Sequence, residues 1–131
     1  LSKITLYIIN FNICLLFVLF FSKSSFSENF LECIEDVPID IDYKENSEEC
    51  FNFDSDTGRI VLAQARTLMK PTLIIEYYIK ILPSFGWNIK QLLNDDKFLI
   101  LTRERDVLKI SIEVLENDSS IISYNLLSLI K

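Results

Sequence analysis

The sequence contains no histidine, two glycines and three cysteines in 131 residues. Without histidine, the chain lacks the most common metal ligand and the most common general base. Two glycines are too few for a glycine-rich loop that binds phosphate. A formal net charge of −6 also lacks the basic surface that nucleic-acid binding requires. These absences predict a protein without catalytic residues, metal ligands, a cofactor or a nucleic-acid partner.

The first 27 residues form an apolar leader. Lys3 supplies an early positive charge, a long apolar run follows, and Ser25 and Ser27 match the small residues of a signal-peptidase site. This pattern predicts a signal peptide over residues 1–27 and a periplasmic or secreted protein that begins at Glu28. Alternatively, residues 4–21 stay attached as an inner-membrane anchor, because the run is about long enough to span a bilayer.

Residues 28–58 form an acidic arm in which Lys44 is the only basic residue. Such a charge imbalance is typical of a solvated, weakly structured segment. Cys33 and Cys50 lie in this arm, and a pair of cysteines in an exported chain predicts a disulfide, with free thiols as the alternative. Two cysteines without histidine are a poor set of zinc ligands, so no metal site is expected.

Residues 59–131 have the pattern of an α+β domain. A strand pattern at 59–67 precedes a helix that begins at Pro71 and ends near Pro83 and Gly86. Further strand patterns follow at 87–92, 97–103, 107–115 and 120–130. Because short turns join the last four strands, we expect one helix packed on an antiparallel sheet of about five strands, in the order β-α-β-β-β-β.

The apolar positions of these elements predict two apolar sheet faces. One face packs with the helix in a core of Val61, Ala63, Ile74, Tyr78, Leu82, Trp87, Ile89, Leu108, Ile110, Ile112 and Tyr124. The other face is expected to hold Leu62, Leu99, Leu101, Leu127 and Leu129. An exposed apolar patch of this kind indicates a dimer, a partner protein or cover from the acidic arm.

Three aromatic residues are candidate ligand-binding residues. Tyr77, Tyr78 and Trp87 could stack on a small molecule or lipid in a pocket between helix and sheet. Packing in the core is the more common role of aromatics at this spacing. Arg59, Arg103 and Arg105 could form an anion site at one end of the sheet. We prefer the interpretation that they are separate charges on the surface.

Several short motifs follow one another between residues 37 and 115. They are Phe53-Asp54, the stretch from Gly58 to Val61, Tyr77-Tyr78, Leu82-Pro83, Gly86-Trp87, Phe98, Arg103 and the strand with Leu108, Ile110 and Ile112. This pattern resembles a group of small exported proteins of alphaproteobacteria. The resemblance implies an entry strand, a helix that ends in Leu-Pro-x-x-Gly-Trp and a run of hairpins, and it implies no particular activity.

The leader, the acidic arm and the second apolar face together predict a function. We expect a small exported domain without enzymatic activity that contacts another protein of the cell envelope or a second copy of itself. The alternative is a periplasmic domain that binds a small ligand or lipid between helix and sheet. Contact with a membrane is expected only through the leader, if it remains attached.

Overall fold

The computed structural model describes residues 2–20, 29–40, 42–92 and 97–130. Within these ranges it has two α-helices and nine strands. The helices are α1 (Lys3–Phe20) and α2 (Pro71–Ile81). The strands are β1 (Asn29–Phe30), β2 (Pro38–Ile39), β3 (Lys44–Glu45), β4 (Phe51–Ser55), β5 (Gly58–Thr67), β6 (Asn88–Leu92), β7 (Phe98–Arg103), β8 (Asp106–Val114) and β9 (Ser120–Leu129).

Helix α1 corresponds to the apolar leader. Its residues up to Leu15 are exposed. In the part of the chain that the structure describes, no helix meets the length and hydrophobicity required to cross a membrane. The expected cleavage site after Ser27 lies outside the described residues, so removal of the leader stays a prediction.

The main sheet contains seven antiparallel strands, which confirms an α+β fold. Its order is β3-β5-β9-β8-β7-β6, and β4 also pairs with β5. The expected strand count of about five is therefore too low. The two additional strands, β3 and β4, lie in the acidic arm, where dense charge hides the strand pattern. A separate two-stranded sheet joins β1 to β2.

Helix α2 begins and ends where the sequence predicts. Pro71 occupies its first turn, and a 3-10 turn over Leu82–Phe85 follows it. Gly86 then adopts the left-handed conformation, with φ of 86°, which glycine reaches without a Cβ penalty. The backbone N–H of Trp87 donates to the carbonyl of Leu82 and returns the chain to the core. On α2 itself, Ile74, Ile75 and Tyr78 are buried.

The core lies between α2 and one sheet face, and three residues that the sequence assigned to a sheet face are placed differently from the expectation. Ile89 was expected to be buried, but it lies on edge strand β6 and is 40% exposed. Leu99 and Leu101 were expected on the other face, but both are fully buried. Leu99 pairs with Ile110, and directly opposite residues of antiparallel strands share a face. The pairing of β7 with β8 therefore turns both leucines toward α2.

The acidic arm is ordered, which corrects the expectation of a weakly structured segment. Leu31, Ile34, Val37 and Tyr43 are buried and extend the core. Because these residues pack in the same core as α2, the arm covers the helix side of the sheet. The idea that the arm covers the second apolar face is therefore wrong.

A disulfide joins Cys33 to Cys50, as expected, across a sequence separation of 17 residues. We expect the double substitution Cys33→Ser and Cys50→Ser to lower the free energy of unfolding by about 3 kcal/mol, because the bond restricts the unfolded arm. Guanidinium titration of the purified chain measures this loss. Cys14→Ser is the matched control, since Cys14 is free and exposed. An unchanged unfolding midpoint in the double variant would contradict the prediction.

Candidate functional site

The sheet face opposite α2 is the candidate functional site, and we call it the open face. Its outward residues come from all seven strands of the main sheet, β3 to β9. Residues of α2 and the arm occupy the opposite face, so within the described ranges the open face has no covering layer. Phe51 and Phe53 are 51% and 47% exposed, and Leu129 is 44% exposed. Large apolar side chains grouped in this way are typical of interaction sites.

The strand register arranges the open face in rows. Phe53, Ile60, Leu127 and Val107 lie opposite one another across β4, β5, β9 and β8, which makes a continuous apolar row. The expectation that Leu62, Leu127 and Leu129 reach this face is correct, because they share its register. The alternating sequence pattern identified these leucines, but the row itself depends on strand pairing.

A groove of about 350 Å³ lies at the centre of the open face. Ser111 and Ser123 face each other across β8 and β9 and form part of its lining. Phe51, Leu62 and Phe98 supply large apolar side chains to the same groove. Because serine side chains are small, they leave a depression between these larger residues. The groove can therefore accept side chains from a second molecule.

Three cations also lie on the open face. Lys44 on β3 is directly opposite Arg66 on β5, and Lys109 lies on β8 at the groove. Among the described residues, none of the three forms an ion pair. Like charges directly opposite each other on neighbouring strands destabilise a sheet. Lys44 and Arg66 lie at one end of the open face and Lys109 lies nearer the apolar row, so the face carries cations although the chain as a whole is acidic.

Tyr77 and Tyr78 lie on α2 and belong to a cluster of aromatic side chains. Tyr78 is fully buried, and its hydroxyl is hydrogen-bonded to that of Tyr124 on β9. Tyr77 is half-buried and contacts the rings of Tyr43 and Tyr78 edge to face. Burial raises the pKa of the Tyr78 phenol well above its usual value. Tyr78 and Tyr124 thus fill the space between helix and sheet where the sequence suggested a ligand pocket.

Trp87, the third candidate residue, lies apart from the tyrosine hydroxyls under Arg103. The Arg103 guanidinium carbon is 4.3 Å from the centre of a Trp87 ring, a cation–π contact. Trp87 is 2% exposed, and its Nε1 has no hydrogen-bond partner among the described groups. The sequence therefore predicted burial of Trp87 correctly but did not reveal its contact with Arg103.

Arg103 joins the acidic arm to the sheet. Its Nη2 lies 3.0 Å from Asp36 of the arm and 3.6 Å from Asp106 of β8. Its Nη1 donates to the carbonyl of Phe85, at 3.2 Å. A cleft of about 560 Å³ beside these groups is also lined by Arg59, whose Nε pairs with Asp54 at 3.2 Å. Arg103 and Arg59 are both paired with carboxylates. The cleft is therefore a place where the arm contacts the sheet through ion pairs.

The chain matches no family model, no curated protein and no solved structure at a significant level. The resemblance to small exported alphaproteobacterial proteins therefore remains a prediction from the sequence.

Proposed function

We propose that this chain is a small exported domain that acts without catalysis, by binding another protein through its open face. The observation that supports this proposal is the apolar row that begins at exposed Phe53 and continues through half-buried residues of three further strands. Burial of such a row against a partner releases apolar surface from water, at roughly 25 cal/mol for each Å². The aromatic side chains Phe51 and Phe53 are of the type that dominates binding at protein interfaces.

The disulfide is compatible with an oxidising compartment outside the cytoplasm, which fits a periplasmic or secreted protein. A binding partner in the cell envelope follows from that location. If the leader remains attached, the same face would meet its partner at the inner membrane. The proposal is the same in both cases, because the open face belongs to the folded domain.

Photochemical crosslinking in native cells tests this function. The full chain is produced with p-benzoylphenylalanine in place of Phe53, which preserves an aromatic ring at the first position of the proposed contact row. We expect ultraviolet light to join this position to one discrete protein, because the ring lies in the buried interface. Intact-mass and peptide analysis of the product identifies the partner.

The matched control places the same photoreactive residue at Leu73, which is 46% exposed on α2. This position is about as accessible as Phe53, but it belongs to the helix on the opposite side of the sheet. We expect no discrete product there. Equal products at both positions, or no product at Phe53, would contradict binding through the open face.

A further inference from the structure

The cations of the open face reveal more about the partner than the apolar row does. Lys44 and Arg66 are a cross-strand pair of like charge without a counter-ion among the described residues. Such a pair is unfavourable in the isolated chain, and a carboxylate from outside would relieve it. Lys109 adds a third positive charge at the groove, with its neighbour Asn125 opposite it on β9.

The acidic residues of the chain are mostly directed elsewhere. Asp54 and Asp106 share the register of the helix side of the sheet. Asp36 faces Arg103 in the cleft, and Glu45 accepts backbone hydrogen bonds in the arm. On the open face, Glu113 on β8 lies in the same cross-strand row as Arg66, and Glu49 lines the groove together with Lys109. The three cations outnumber these two carboxylates, so the open face differs in charge from the acidic chain as a whole.

The spacing of apolar and basic groups defines the shape of a complementary segment. From Ile60 in the apolar row to Arg66 is six residues along β5, or roughly 20 Å at the rise of a strand. Lys109 is one register step beyond Val107 along β8, roughly 7 Å from the apolar row. A partner must therefore place one carboxylate about 7 Å and another about 20 Å from its apolar side chains.

We propose that the open face binds an acidic amphipathic segment of another exported protein. Its apolar side chains pack on the row that includes Phe53, and its carboxylates pair with Lys109 and with the Lys44–Arg66 pair. This inference rests on the proposed function and specifies the chemistry of the partner. Opposite charge across an interface accelerates encounter and excludes wrong partners.

Carbodiimide coupling of native cells that produce the full chain tests this chemistry, because the reagent joins an amine only to a carboxylate in direct contact. We expect Lys109 or Lys44 to be coupled to Asp or Glu of the same protein that p-benzoylphenylalanine at position 53 captures. Lys70 and Lys80 lie on the side of α2 and are exposed, so they serve as internal controls. We expect no coupling of these two residues to that protein.

Charge reversal supplies a second, independent measurement. We expect Arg66→Glu with Lys109→Glu to reduce the photochemical product at position 53 by about tenfold, because like charges then oppose each other in the interface. The matched control Lys70→Glu with Lys80→Glu makes the same change of charge beside α2 and should leave the yield unchanged. Both cation pairs are exposed, so both variants are expected to fold.

The outcomes separate this inference from the function on which it rests. A protein captured at position 53, with coupled carboxylates and a yield sensitive to charge reversal, supports both. A protein captured without coupling and without sensitivity overturns the acidic segment and leaves the proposed function standing. A product of two copies of the chain also overturns the inference. A lipid adduct, or no product at all, overturns both.

Discussion

Replacing Gly58 by alanine is expected to lower the free energy of unfolding by about 3 kcal/mol, as an overpacked core residue does. Gly58 lies opposite Leu129, where β5, the β4–β5 turn and β9 meet. A Cβ built at this position would lie 2.2 Å from the carbonyl oxygen of Ser128. That oxygen belongs to the backbone of β9 and cannot rotate away, so the strands must separate locally. Thermal unfolding measures the loss, expected to be about 10 °C in midpoint.

Gly86→Ala is the matched control for this prediction. Gly86 has a φ of 86°, so alanine there costs about 1 kcal/mol of backbone strain. Its added Cβ would meet only the flexible side chain of Arg103, at 3.4 Å. The two variants add the same atom to a glycine, and they differ in what that atom meets. If Gly58→Ala is as stable as Gly86→Ala, or more stable, then β9 does not approach Gly58 as closely as the structure indicates.

The strand β7 illustrates what the sequence cannot determine alone. Its run from Phe98 to Leu101 is apolar at every position, so alternation does not show which residues face the helix. Pairing with β8 resolves the ambiguity, since Leu99 lies opposite Ile110. Strand β8 alternates between apolar and polar residues, so its buried face could be predicted from the sequence. The pairing with β8 therefore determines which residues of β7 face the helix. The sequence of β7 alone does not contain this information.

The acidic arm illustrates a different limit. Leu31, Ile34 and Val37 are spaced three apart, as on one face of a helix, but they are buried from an irregular backbone. Their burial depends on contacts that join distant parts of the chain, among them the Cys33–Cys50 disulfide and the Arg103–Asp36 ion pair. The disulfide could be predicted from composition, but the side of the sheet that the arm covers could not.

The open face could be predicted only in part, because it depends both on alternation within each strand and on the pairing between strands. Alternation in β5 and β9 correctly assigned Leu62 and Leu127 to the second face. The cation pair of Lys44 and Arg66 was not predictable, because β3 has two residues and its partner lies more than twenty positions away. A candidate site made of residues from several strands becomes visible only when the cross-strand register is known.

Alkaline unfolding is the second large effect that we expect from this structure. Tyr43, Tyr78 and Tyr124 are almost fully buried. Burial raises the pKa of the phenol in each, and the charges of Asp40 and Asp42 add to this effect at Tyr43. The hydrogen bond from Tyr78 opposes the rise in pKa at Tyr124, but burial outweighs it. Folding therefore holds three phenols in their neutral form.

The direction of the pH effect follows from these raised pKa values. Below about pH 10 the phenols are protonated in both states, and their contribution to stability is constant. Above about pH 10 the unfolded chain loses protons that the folded chain retains, so the free energy of unfolding falls as pH rises. Each such tyrosine contributes up to about 1.4 kcal/mol per pH unit, or about 4 kcal/mol for three, until its folded pKa is reached.

Denaturant titrations at a series of pH values, with tyrosinate absorbance as a second signal, measure this slope. The double variant Tyr78→Phe and Tyr124→Phe keeps both rings and removes both hydroxyls, so no unpartnered hydroxyl remains from their hydrogen bond. We expect its alkaline slope to fall to about one-third of the original, since Tyr43 is the one of these three phenols that remains. If the double variant keeps the original slope, the buried tyrosine cluster is not the origin of the alkaline transition.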